Sequence, residues 1–201
     1  MFIQSSPLIL LKKRWKIILF SGLVLAVFSG FISLLFPLEY RADAQVLIIS
    51  KSRYGVDPYT VAKSAERIGE NLVQVVKTND FYNKVLNQSE YNLDKSGFEN
   101  ISEVKKRKKW QKQVKASVVY GTSVLDIMAY NSNREQAKNY DNATANVLVS
   151  QGWQYVGGDV TIKVVNDAVS GKWPVRPNLA INTFLGFIVG ALFSFLLVLK
   201  K

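Results

Sequence analysis

"KWPVRPNLAINTFLGFIVGALFSFLLVLKK", residues 172–201, sets two prolines before a long apolar run that ends in two lysines. From Leu179 to Leu199 the run has 21 residues and no charge. Coiled at about 1.5 Å per residue it spans roughly 31 Å, the thickness of a bilayer's hydrocarbon core. A second run of 20 uncharged residues, Ile17–Phe36, stands near the start. Its rival reading is a cleaved signal peptide, with Ala42-Asp43-Ala44 as the small-x-small cleavage site. The run is longer than an h-region of about 7–15 residues, and a second span follows, which favours a retained anchor.

Charge sets the orientation. Lys12, Lys13, Arg14 and Lys16 crowd the near side of the first run, while on the far side Arg41 is offset by Glu39 and Asp43. The positive-inside rule then puts segment 1–16 in the cytoplasm, and two spans (17–36 and 179–199) return 200–201 there. Residues 37–178 are left outside, enough for one domain with its own core. The net charge of +11 suggests nucleic acid until it is partitioned. Six of the 26 Lys and Arg flank the spans on the cytoplasmic side, and all 15 Asp and Glu lie in 37–178, leaving the outer domain at +5. That is mildly basic and on the wrong side of the membrane for nucleic acid. With no cysteine, no disulfide supports an exported domain, which must rely on its core or on assembly. With no histidine, histidine triads, ordinary zinc sites and the commonest general base are all excluded.

Within the outer domain "EYRADAQVLII" alternates, with Tyr40, Ala42, Ala44, Val46 and Ile48 on one face, and predicts a half-buried strand. "KSRYGVDP" reads as a loop, and Asp57-Pro58 is an N-cap and N1 pair. The helix it opens carries Val61, Ala65, Ile68, Leu72 and Val75 on one side. "FYNKVL" suggests a short helix that Gly97 brings to an end, and "ISEVKKRKKWQKQ" a very basic one. The period then changes to two: Val114, Ala116, Val118 and Tyr120, a turn at Gly121-Thr122-Ser123, then Leu125, Ile127 and Ala129, predicting a hairpin. Ser132-x-x-Glu135 is a capping-box pattern, with Ala137, Tyr140, Thr144, Val147 and Leu148 on the apolar face of the following helix and Gly157-Gly158 as its stop. "DVTIKVV" supplies the last strand. The order is the split β-α-β-β-α-β pattern of a ferredoxin-like α+β domain, with an insertion after the first helix.

Three stretches carry a family resemblance: "LEYRADAQVLI" after the first span, "TSVLDIMAYNSNREQAKNYDNATANVLV", and "WPVRPNLAINTFLGFIVGALFSF". In this order within a two-span chain they resemble the Wzz-type chain-length determinants, also called polysaccharide co-polymerases. Only residues 88–113 match poorly. The chain departs from enteric members in having no long helical extension, and from others in having two residues rather than a tyrosine kinase domain after the second span. It looks like a short form, near the stand-alone modulators of Gram-positive capsule systems. The resemblance implies a non-catalytic ring-forming homo-oligomer in the cytoplasmic (inner) membrane that sets the length of O-antigen, capsule or exopolysaccharide. Its partners would be the polysaccharide polymerase, lipid-linked glycan, membrane lipids and a separate cytoplasmic tyrosine kinase, and it would act without a cytoplasmic domain of its own. The alternatives are a sensing module that activates such a kinase, and a carboxylate-dependent glycan enzyme.

Three groups of residues are candidate sites. Pro174, Pro177 and Asn178 stand in the connector 172–178, where the two prolines fix φ and lack N–H donors, so the connector is expected to be extended and stiff; the plainer reading is a strand stop. Gly22, Ala26 and Gly30, and Gly186, Gly190 and Ser194, form small-residue stripes spaced by four, suited to close helix packing within or between subunits. Lys105, Lys106, Arg107, Lys108 and Lys109, followed by Trp110, suggest an anion or glycan patch, against the plainer reading of a solvated helix face. Tyr54, Tyr59, Trp153 and Tyr155 suit either sugar stacking or the core. No phosphate-binding loop and no Gly-x-Ser-x-Gly elbow is present, and no catalytic, metal or cofactor residue is assigned. The Asn-x-Ser/Thr sites at Asn87, Asn100 and Asn142 receive no role.

Overall fold

The computed structural model describes residues 7–50, 57–157 and 159–200, with side chains from Arg14 to Val198. Tyr54, most of the predicted loop, Gly158, Lys201 and the side chains of Lys12 and Lys13 lie outside the described residues. The chain divides into two compact units, one of the terminal helices with their flanks (to Leu38 and from Val175), the other Glu39–Pro174.

In the first unit α1 (Pro7–Leu34) and α7 (Leu179–Lys200) pack on each other. Both contain stretches long and apolar enough to cross a membrane, Arg14–Leu34 and Leu179–Val198. Arg14, at φ −118° and ψ 16°, breaks α1 beside Lys12, Lys13 and Lys16. The helix stops at Leu34, and Leu35 and Phe36 close a turn onto Ile32 and Ser33.

The second unit is mixed α+β: β1 (Tyr40–Ser50), α2 (Pro58–Val75), α3 (Asn79–Leu86), α4 (Glu103–Gln113), β2 (Val114–Val118), β3 (Val124–Asn131), α5 (Arg134–Gln151), α6 (Trp153–Val156) and β4 (Val160–Ser170). The four strands make one antiparallel sheet in the order β2-β3-β1-β4. The alternation read in β1 is the one observed, since Ala42, Ala44, Val46 and Ile48 are all buried. Against them pack α2 and α5, with Leu72, Tyr140, Val147 and Leu148 wholly inaccessible. The hairpin also forms as read: Val118 pairs with Leu125, and the link carries Gly121 at φ +72°.

Several local readings change. Asp57 does cap α2, accepting from the Thr60 N–H at 3.2 Å. The buried face of that helix is turned toward Ala65, Glu66, Gly69 and Leu72, while Val61 and Ile68 are half-buried. Gly69 is there because a Cβ would stand 2.9 Å from Val118 and 3.1 Å from Ile48, so only glycine lets the helix lie this close to the sheet. The cap of α5 is Asn133, not Ser132. Its side-chain oxygen accepts from the N–H of Glu135 (2.8 Å) and of Gln136 (3.3 Å), which satisfies two of the helix's orphan donors. β4 runs on to Ser170 and carries two extra residues against β1, one between the Asp43 and Gln45 pairs and one between Gln45 and Val46. Each bulge turns the strand, so Lys163 to Asp167 are all exposed and the expected alternation ends at Ile162.

Candidate functional site

The small-residue stripes meet inside one chain. A Cβ added at Gly186 would lie 2.6 Å from Ser29 Cβ and 2.7 Å from the Leu25 carbonyl; at Gly190 it would lie 2.7 Å from the Ser21 carbonyl. Gly22 faces Phe187, Gly30 faces Thr183, and Ala26 and Ser194 are buried. Close approach lets polar groups bond across the pair: Ser21 Oγ donates to the Gly190 carbonyl (3.2 Å), Ser29 Oγ to the Asn182 carbonyl (2.9 Å), and Asn182 Nδ2 to Ser33 Oγ (2.8 Å). Within a bilayer such bonds would hold because no water competes for the groups. Asn182 and the serines were not singled out by the sequence, where lone polar residues in an apolar run show no partner.

In the connector, Asn178 is the N-cap of α7: its Oδ1 accepts from the Ile181 N–H at 3.1 Å and its carbonyl from Asn182. The Arg176–Pro177 peptide is cis.

The basic run splits. Trp110 is wholly buried; its indole N–H donates to the Val76 carbonyl at 2.7 Å, and its ring lies near Tyr82 and Tyr140. It anchors α4 to the core and offers nothing to an external ligand. Lys106 pairs with Glu103 (3.0 Å), and Glu103 also accepts from Tyr82, which together hold its carboxyl below the usual range. Burial, seconded by that carboxylate, pushes the Tyr82 phenol up to about 12. Lys105, Arg107, Lys108 and Lys109 remain exposed. The aromatic candidates also separate. Tyr155 donates to Asp80 and lies under Lys84, Trp153 is half exposed with its N–H on the Ser150 carbonyl, and Tyr59 is exposed.

Two features escaped the sequence. On the helix-free side of the sheet, Arg41, Asp43, Gln45, Asp126, Asn166 and Asp167 line an open depression. Arg41 grips Asp43 (2.8 Å), while Gln45 donates to Asp126 (2.7 Å) and accepts from Asn166 (2.6 Å). Two of the three carboxylates are thus engaged by neighbours, which suits polar adhesion better than proton transfer. The second feature is Asp141 on α5, wholly buried, with neither carboxylate oxygen hydrogen-bonded among the described residues. Burial first, then the negative charge of Asp43, push it up to about 9 against the opposing pull of Arg41. Nothing in "AKNYDNATAN" marks this aspartate apart from its polar neighbours. No protein-family model matches the chain, and no curated protein matches it.

Proposed function

We propose that the chain is a non-catalytic regulator of surface polysaccharide chain length, held in the cytoplasmic membrane by its two terminal helices with both ends inside. The observation that carries the reading is the bracket itself: an α+β unit enclosed in sequence by two apolar helices that pack tightly on each other. The strand order β2-β3-β1-β4, with α2 and α5 on one face, supports a ferredoxin-like outer domain with α3 and α4 inserted before β2. Such a unit would assemble as a ring beside the polymerase, and the proline-bearing connector would transmit its set to the spans.

Deleting the coding region should change the length distribution of the surface polysaccharide, and an unchanged polymer would end this reading. A second reading, a glycan enzyme working through paired acids, would have to draw them from the carboxylates that line the depression on the sheet. Complementation with Asp43→Asn, Asp126→Asn and Asp167→Asn combined decides between them. A regulator should restore the normal length distribution, and an enzyme should lose at least about a hundredfold in rate with its acids gone.

Topology is checked separately. Since the chain has no cysteine, single cysteines at position 5 (outside the described residues) and at the exposed Ser132 are unique labels. An impermeant reagent on intact cells should modify position 132 alone. Labelling at position 5 would invert the orientation.

A further inference from the structure

The positive charge of the outer domain has a single address. Between residues 104 and 115 there are seven Lys and Arg and no acid; the remaining 13 cations of 37–178 face 15 carboxylates. Without α4 and the start of β2 the domain would be slightly acidic. On α4, Lys105, Lys108, Lys109 and Lys112 follow the i, i+3, i+4, i+7 spacing of one helix face and are all exposed, while Trp110 points into the core. The pairs 105/109 and 108/112 set like charges one turn apart, which destabilises an isolated helix. Trp110 holds the helix in place against that repulsion.

The register of the sheet shows where this face lies. Val114 directly follows the last residue of α4, and it pairs with Ala129, which pairs with Ala42, which pairs with Ser170. Those four residues form one row across the sheet. Tyr40 and Ser170, from which the chain runs to the two apolar helices, therefore leave the sheet at the end where α4 joins it. Five residues separate Leu34 from Tyr40, a reach of at most about 20 Å. At the same end Lys172 and Trp173 are exposed, the latter at 82 %. A cation–tryptophan pair of this kind is the composition of a membrane–water interface.

We propose that the lysine face of α4 is a docking surface for the anionic headgroups of the bilayer that holds the terminal helices. Charge complementarity and the short tether both favour a lipid over a soluble polyanion: a tether of at most about 20 Å keeps the surface near phosphate headgroups, whose field falls off over a Debye length of about 8 Å. The proposal goes beyond the chain-length reading and does not depend on it, because defined bilayers contain neither polymerase nor glycan.

The full chain is reconstituted in nanodiscs of phosphatidylcholine alone or mixed with phosphatidylglycerol, both carrying a nickel-chelating lipid. A spin label sits at Val104→Cys, exposed on α4, or as a control at Tyr120→Cys, in the hairpin turn at the other end of the sheet. Headgroup nickel should relax the label at 104 far more in anionic than in neutral discs, and high salt should abolish the difference. Neutralising Lys105, Lys108, Lys109 and Lys112 to Gln should weaken the contact about fivefold per lysine, and the label at 120 should not respond. Should the fourfold variant lose its circular dichroism, Lys105→Gln and Lys108→Gln singly give the same reading in smaller steps. Equal relaxation at 104 in neutral and anionic discs overturns the proposal. So does a label that responds to soluble polyglucuronate but not to anionic lipid, which would make the surface a glycan site.

Discussion

Replacing Asp141 with Asn is expected to stabilise the protein at neutral pH and to do much less for it in mild acid. The folded chain holds Asp141 neutral up to about 9, whereas in the unfolded chain it ionises near 3.9. Between those values the unfolded state binds fewer protons, so stability falls as pH rises, by about 1.4 kcal/mol per pH unit. The contribution is least unfavourable below the unfolded value and reaches its full cost only above the folded one. At pH 7 that cost is up to about 4 kcal/mol, and at pH 5 about 1.5 kcal/mol. Asparagine removes this pH-dependent cost, and its buried amide lacks partners much as the neutral acid does, at about 1–3 kcal/mol in either case. The advantage of the variant over the parent should therefore grow by about 2.7 kcal/mol between pH 5 and pH 7. Other carboxylates work the opposite way: Glu66, Asp80, Asp94 and Glu103 are held low by their partners, so their stabilisation disappears only in stronger acid. Thermal unfolding of the full chain in detergent at several pH values reads the difference directly, at about 3 °C per kcal/mol. Parallel profiles for parent and variant would mean that Asp141 is ionised and compensated, with Arg41 the cation whose charge acts on it.

The buried aspartate also shows where the sequence stops being legible. The length of the two apolar runs and the alternation of Tyr40 to Ile48 are local signals, and each reports one physical requirement: a helix long enough for a bilayer, a pleated half-buried surface. The hairpin from Val114 to Ala129 was readable for the same reason. Features set by tertiary contact were not. Gly69 is required by Val118 and Ile48, which are distant in sequence. Glu66 tolerates burial because Lys63 and the Gly121 backbone reach it. The bulges of β4 erase its period, and the Asn142 side chain accepts the Ala168 N–H that this strand presents at 2.9 Å. A tryptophan in a run of lysines reads as part of a patch until its indole is found on the Val76 carbonyl. The place of α4 at the end of the sheet that holds Tyr40 and Ser170 depends on strand register, which no single segment encodes.

Introducing Leu at Gly186 and Gly190 together is expected to separate the two apolar helices. At both positions the first added carbon meets backbone: the Leu25 carbonyl at 2.7 Å from Gly186, the Ser21 carbonyl at 2.7 Å and Gly22 Cα at 3.0 Å from Gly190. Backbone cannot rotate aside, so the helices must move apart; at Gly22 the nearest atoms are the edge of the Phe187 ring, and the backbone contact, the Phe187 carbonyl, is looser at 3.2 Å. Overpacking of this kind costs about 1–3 kcal/mol per site. Separation also breaks the bonds from Ser21 to Gly190 and from Ser29 to Asn182, groups for which lipid offers no replacement. Ser33 and Asn182, whose side chains touch at 2.8 Å, report the change as a cysteine pair in a chain that has no other. Oxidation in membranes should cross-link this pair rapidly within a single chain, seen as a shifted monomer band. The Leu variants should slow the reaction at least about tenfold, which is the 1.4 kcal/mol that one overpacked site already exceeds at the middle of its range. Leu192→Ala, on the exposed side of α7, should leave the rate unchanged. Retention of the intrachain cross-link with loss of the oligomer would reassign the stripes to contacts between subunits.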